Sequence, residues 1–314
     1  MPYDAILLVS FGGPERREEV VPFLENVLRG RNVPRERLLA VAEHYYHCGG
    51  ASPINRQCRE LIAALEQRVS LPVYWGNRNW HPMLADTMRR MAADGVRRAV
   101  AVATAAYSSY SSCRQYLENI EAARAAVGDS APVVDKLPPF CRHPGFVEAN
   151  AARVAAALER IPEDRRKDVR LVFTAHSIPL AMAAGCCYEE QVAETARCIC
   201  ERLGIGAWQV AWQSRSGPPG QPWLEPDILA CLRSLAAEGA VDVVVSPIGF
   251  LSDHMEVVYD LDVEAAGVAR GLGLNMVRAA TAGTHPAVIA MLKELLEREF
   301  EPCAPGCCPP PPRR

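Results

Sequence analysis

One histidine and one run of carboxylates have the residue types and spacing to do chemistry. His176 lies in residues 173–179, FTAHSIP, where an apolar run that reads as a strand gives way to a loop. An imidazole at the carboxyl end of a strand sits where α/β proteins bind ligands. Asp253, Glu256, Asp260 and Glu264 follow a second apolar run, residues 241–245, at spacings of three, four and four. On a helix capped by Ser252 or Asp253, that spacing stacks four carboxylates in one row. Like charges so placed oppose one another by roughly a few tenths of a kcal/mol per pair. The row is therefore either a track for a cation or a solvated helix face. An imidazole and a carboxylate in a shared cavity bind a divalent cation or trade protons near neutral pH. The alternative for a single histidine is structural packing. His254, two residues from Glu256, points elsewhere on a helix and reads as supporting or structural.

The second chemical feature is sulfur. Twelve cysteines are many for a chain of 314 residues, and three of them, Cys303, Cys307 and Cys308, crowd the tail EPCAPGCCPPPPRR. Fenced by prolines, these three are not core packing. In a reducing cytosol such residues are thiols or metal ligands rather than a disulfide framework. The N-terminus, MPYDAILLVSFGGP, reads as a first strand rather than a signal peptide. The apolar runs fall short of the about 18 residues a membrane span needs. These features point to the cytoplasm. A net charge of −3 gives no hint of nucleic-acid binding.

The elements that must position these groups alternate strand and helix. Strands are expected at residues 5–10, 72–76, 98–104, from 171, at 209–212 and at 241–245, with amphipathic helices between them. The second half repeats the first. Trp75, Arg78, Trp80, Asp86 and Gly95 match Trp212, Arg215, Trp223, Asp227 and Gly239, and Tyr116 and Tyr259 follow at similar offsets. The fold class is α/β: two Rossmann-like lobes with parallel sheets facing each other across a cleft. The expected divisions are 1–150, 151–300 and a Cys/Pro-rich tail, 301–314. No G-x-G-x-x-G, Walker loop or G-x-S-x-G is present, which disfavours nucleotide binding and serine hydrolysis.

FTAHSIP, WQSRSGPPGQPW and GFLSDHMEVVYDLDVE resemble ferrochelatase, as do LLVSFGGPE, RGRNVPRERL, HYYHCGGASPIN and GNRNWHP. The motifs run in the family's order over nearly the whole chain. The resemblance implies chelatase-type lobes around a porphyrin and insertion of ferrous iron to make haem. It implies His176 and Glu256 as the catalytic and metal-binding pair, with Asp260 and Glu264 continuing the iron path. Porphyrin binding falls to Phe11, Arg29, Arg31, Tyr45, Ser52, Tyr116 and Trp223, arginine being the best partner for propionates. Some family members carry tyrosine where this chain has Phe11, which removes a possible axial ligand to the product haem. Coproporphyrin III is the favoured substrate, with protoporphyrin IX the close second. Some ferrochelatases also hold a 2Fe–2S cluster on three C-terminal cysteines and one interior cysteine. Here that implies Cys303, Cys307 and Cys308 with Cys141 as the choice for the fourth, and zinc as the alternative occupant. Cys186 with Cys187 and the Cys198/Cys200 pair are rivals for the fourth place that read rather as buried helix thiols. The expected partners are porphyrin and ferrous iron, at most peripheral membrane contact, and proteins that deliver porphyrin and accept haem. The rival reading is a non-catalytic tetrapyrrole or metal carrier of the same fold.

Overall fold

The computed structural model describes residues 3–30, 32–217, 220–302 and 307–310. Arg31 and Cys303 lie outside the described residues. The chain forms two units: the described parts of Met1–Thr104, Cys113–Pro138 and Leu292–Cys307, and those of Ala105–Ser112, Pro139–Met291 and Cys308–Arg314.

Each unit is built on a four-stranded parallel sheet. In the first, β1 (Ala5–Ser10), β2 (Val73–Asn77), β3 (Arg98–Ala103) and β4 (Val133–Lys136) lie in the order β2-β1-β3-β4. In the second, β5 (Arg170–His176), β6 (Trp208–Gln213), β7 (Asp242–Ser246) and β8 (Asn275–Arg278) repeat that order as β6-β5-β7-β8. Parallel neighbours require crossovers, and helices supply them. Strands covered on both faces become nearly continuous apolar runs, as AILLVS in β1 and VVV in β7 show, each fully buried. Burying each such valine or leucine contributes about 1.5–3 kcal/mol relative to exposure.

The outer strands β4 and β8 escape the sequence reading for the opposite reason. VVDK and NMVR are short, charged and partly exposed, with Val133 at an open edge. Neither period nor apolar content marks them.

The duplication is real, but its register differs from the residue matches. Asn77 bridges Met83 in the first unit as Trp212 bridges Asp227 in the second, and Asn77 and Trp212 donate their N–H groups to the Pro82 and Pro226 carbonyls. Asn77 is thus the counterpart of Trp212, and Met83 of Asp227. The helices Leu84–Ala93 and Ile228–Ala237 then superpose residue for residue, and Gly95 with Gly239 stands. Asp86 with Asp227 does not. Asp227 caps its helix by accepting the Leu229 N–H at 2.8 Å, whereas Asp86 lies inside its helix and pairs with Arg89. Likewise Trp75 and Trp212 differ by two strand positions. Ser10 pairs with Asn77, and Ala175 with Trp212, so the residues just beyond them, Phe11 and His176, are counterparts.

Candidate functional site

The second unit gathers the predicted chemical groups at the carboxyl ends of its strands. His176 closes β5, and the β7 loop leads into a helix of changing pitch. That helix is α-helical over Met255–Val257, π-helical over Val258–Ala265 and α-helical again over Ala266–Gly271. Its wide turn carries Asp260 and Glu264, and π segments of this kind recur at functional sites.

Neither Ser252 nor Asp253 caps this helix. His254 does, its Nδ1 accepting the Glu256 N–H at 3.2 Å. A nitrogen that accepts carries no proton, so the His254 proton resides on Nε2. Burial favours that neutral ring and lowers its pKa, and the ring packs edge-on against Phe250. The 3.8 Å approach of Nδ1 to Glu256 Oε2 is accordingly not an ion pair. Asp253 leaves the carboxylate row as well, because Arg278 binds both its oxygens, at 3.2 and 3.3 Å, together with Asp262. The row is Glu256, Asp260 and Glu264.

His176 Nε2 lies 3.7 Å from Glu256 Oε2, and Nδ1 meets the Ser177 carbonyl. A carbonyl only accepts, so Nδ1 donates and Nε2 is the nitrogen that gains or loses a proton. Burial favours the neutral ring, but the Glu256 carboxylate outweighs it and raises the His176 pKa. Burial likewise opposes ionisation of Glu256, yet the His176 charge prevails and its pKa falls to about 2. Half of the Glu256 side chain remains open to water. The fixed anion is therefore also reachable.

Asp260 behaves oppositely. Burial, with the charges of Glu256 and Glu264 behind it, pushes its pKa up to about 7 against the effect of the Ser214 hydroxyl, which donates to Oδ2. Ser214 is itself held at φ 63. For a residue other than glycine this left-handed conformation costs on the order of 1–3 kcal/mol. Gln213 completes the surround, its Nε2 donating to the Glu256 carbonyl at 2.8 Å. The arrangement offers an anchored imidazole, one firmly ionised carboxylate and one poised near neutrality, which suits capture of a hydrated cation and removal of protons.

Three comparisons bear on this geometry. The family model described as Ferrochelatase matches residues 3–300. The chain belongs to the ferrochelatase family. A ferrochelatase of Rhodopirellula baltica is 49% identical, covering 100% of this chain and 95% of that protein. A coproporphyrin III ferrochelatase of Nocardia farcinica is 49% identical, covering 99% and 97%. Among solved structures, SirB from Bacillus subtilis with Fe3+ aligns with a TM-score of 0.59 at 13% identity, covering 93% of each chain, a likeness of fold. The protein is thus a porphyrin metal chelatase whose reaction is the insertion of ferrous iron in haem biosynthesis.

The other residues expected in a ferrochelatase site sort by unit. In the first, Phe11 is 38% exposed and Tyr116 is buried, and the Arg78 guanidinium lies over both rings, 5.7 and 4.6 Å from their centroids. Arg78 Nε also donates to Asn119 Oδ1 at 2.6 Å. Tyr45 is buried against Phe23, and buried Ser52 donates its N–H to the Pro14 carbonyl at 2.7 Å. Arg29 is exposed. In the second unit Trp223 is nearly buried, with Gly217 so close to its ring that an added Cβ would lie 2.5 Å from Nε1. Sequence reasoning missed Ser214, Gln213 and the Arg78 stack. WQSR stood in a quoted motif, but neither a left-handed serine nor a cation–π stack has a periodic signature.

Among the cysteines, the interior thiol within 4.8 Å of the Cys307 thiol is Cys113, in the same unit; Cys308 follows Cys307 in the chain. Cys141 belongs to the second unit, and burial pushes its thiol up to about 11. Thiols that close together fit a metal or cluster.

Proposed function

We propose that the protein inserts ferrous iron into coproporphyrin III, with His176 and Glu256 acting at the metal and at the pyrrole nitrogens. The observation that carries the division of labour is the 3.7 Å pair of an anchored imidazole and a half-exposed carboxylate. Insertion releases two pyrrole protons and strips the iron of water. Glu256, anionic at neutral pH, attracts and ligates the arriving iron. His176 takes protons at Nε2 once its own proton has passed to solvent or to a neighbouring carboxylate. Asp260 and Glu264 hand the ion along the helix. A macrocycle held bent tilts a nitrogen lone pair toward the metal, at a typical strain of about 1–5 kcal/mol. Phe11 and Trp223 are the candidate aromatic walls for it; Arg29, Arg31, Tyr45, Ser52 and Tyr116 lie in the segments that would meet its propionates. Near-full-length relatives named coproporphyrin III ferrochelatase, 49–50% identical, favour that porphyrin over protoporphyrin IX. Mixing protein, ferrous iron and each porphyrin anaerobically and following the visible spectrum tests this. The expected result is faster metallation of coproporphyrin III. Preference for protoporphyrin IX overturns the substrate, and tight binding without turnover of either favours a carrier.

A 2Fe–2S cluster takes four thiolates. Cys113, Cys307 and Cys308 are the described candidates, with Cys303 the fourth and zinc the alternative occupant. Such a cluster supplies a cross-link between chain segments and one-electron chemistry. Cys113→Ser abolishes visible absorption by the anaerobically purified protein under this assignment, while Cys141→Ser leaves it. The reverse result restores Cys141 as a ligand. None of the eleven described cysteines is joined in a disulfide, and we place the enzyme in the cytoplasm. No helix among the described residues is long and apolar enough to cross a membrane.

A further inference from the structure

Ser214 has no assigned part in the reaction, yet its conformation is unusual. Among the described residues it and Cys308 are the non-glycines with positive φ, and Ser214 stands at 63°. The duplication supplies a control. Two positions beyond Asn77 lies Asn79, and two beyond its counterpart Trp212 lies Ser214. Asparagine tolerates the left-handed region better than serine, but Asn79 does not adopt it. The sheet topology therefore does not impose this turn. Where the second unit's longer connection needs one, glycine would make it without strain. What glycine lacks is the hydroxyl that donates to Asp260 Oδ2.

We propose that Ser214 is a positioning residue, its hydroxyl fixing the Asp260 carboxylate for an iron ion approaching Glu256. This rests on the reading of Asp260 as part of the iron path. A carboxylate on a wide π turn has several rotamers open to it, and only some present an oxygen toward the Glu256 side. A donor held rigidly by the backbone selects among them before the ion arrives. Ordering is then completed in the free enzyme rather than during capture.

Ser214→Gly separates this role from a structural one, because it keeps the turn and removes only the hydroxyl. The melting temperature is expected to stay level or rise. The KM for ferrous iron should rise about tenfold, with the KM for porphyrin unchanged. Ser214→Ala, which keeps the strain, should raise the iron KM equally while melting lower. In an Asp260→Ala background, Ser214→Gly should have no further effect on iron. An iron KM within twofold of wild type in Ser214→Gly overturns the proposal, as does an equal loss with and without Asp260. A wild-type enzyme that metallates no porphyrin sinks the functional reading instead, so the two failures are distinguishable.

Discussion

The two units share strand order, crossover helices and bridge geometry, yet they place different chemistry at matching positions. At the end of the central strand the first unit carries Phe11 and the second His176. One position past the bridge residue the first has Arg78 and the second Gln213. On the helix after the third strand of each sheet stand Tyr116 in one and Glu256 with Asp260 in the other. The first unit's version is a guanidinium between two rings; the second unit's version is an imidazole facing acids. Topology provides the ledge, and side chains alone decide whether it handles a cation. A guanidinium repels Fe2+, whereas an ionised Glu256 attracts it.

The sharpest way to break this contrast is to remove the second unit's chemistry. His176→Ala and Glu256→Gln should each lower iron insertion to about a thousandth or less, in the range general acid–base groups contribute. Porphyrin binding, followed by fluorescence quenching, should persist. Phe11→Ala, at the matching position, should cost no more than about tenfold, through porphyrin KM. If the Phe11 variant is as inactive as His176→Ala, the division of labour between the units is wrong.

Asp260 sharpens the contrast through pH. Its pKa in the folded protein, raised to about 7 by burial, exceeds the usual value near 4. The folded state therefore holds a proton that the unfolded chain releases. That contribution is fully present below about pH 4, is lost as pH rises toward 7, and stays lost above. Asp260→Asn is neutral throughout and can still accept from Ser214. Its melting temperature should match wild type near pH 4, exceed it increasingly up to pH 7 and run parallel beyond. His176, also raised, adds a slope of the same sign; part of its shift comes from the Asp260 charge, so the difference reports Asp260 together with its coupling to His176. A constant offset at all pH values would show that folding leaves the Asp260 pKa unchanged.

Much of this architecture was legible beforehand, for reasons that differ by element. The buried strands announced themselves as apolar runs, and His176 and Glu256 stood out as reactive types at strand ends. The carboxylate row was legible as a spacing, but Asp253 was not separable from it. Its partner Arg278 is distant in sequence and lies on an edge strand that no pattern marks. The helix cap fell on His254 because a histidine nitrogen can accept as serine and aspartate oxygens do, a possibility that propensity ranks low. The repeat was visible, but its residue matches followed chemical likeness, whereas the true register follows hydrogen bonds. Tryptophan was matched to tryptophan two positions out of step.

The smallest expected effect tests the first unit alone. Arg78 lies over the Phe11 and Tyr116 rings and donates to Asn119. Arg78→Gln installs the residue type the second unit carries at the matching position. It removes the cation, so the attraction to the ring faces is lost, and a shorter amide does not reproduce a planar group reaching both rings. The combined loss should be about 1–2 kcal/mol, read as a lower urea midpoint at unchanged m-value. In the second unit Gln213 holds the Glu256 carbonyl instead, so its substitution should disturb iron handling more than folding. An Arg78 variant as stable as wild type would mean that the guanidinium's desolvation cancels its stacking. The first unit's ledge would then owe its guanidinium to something other than the stability of the fold.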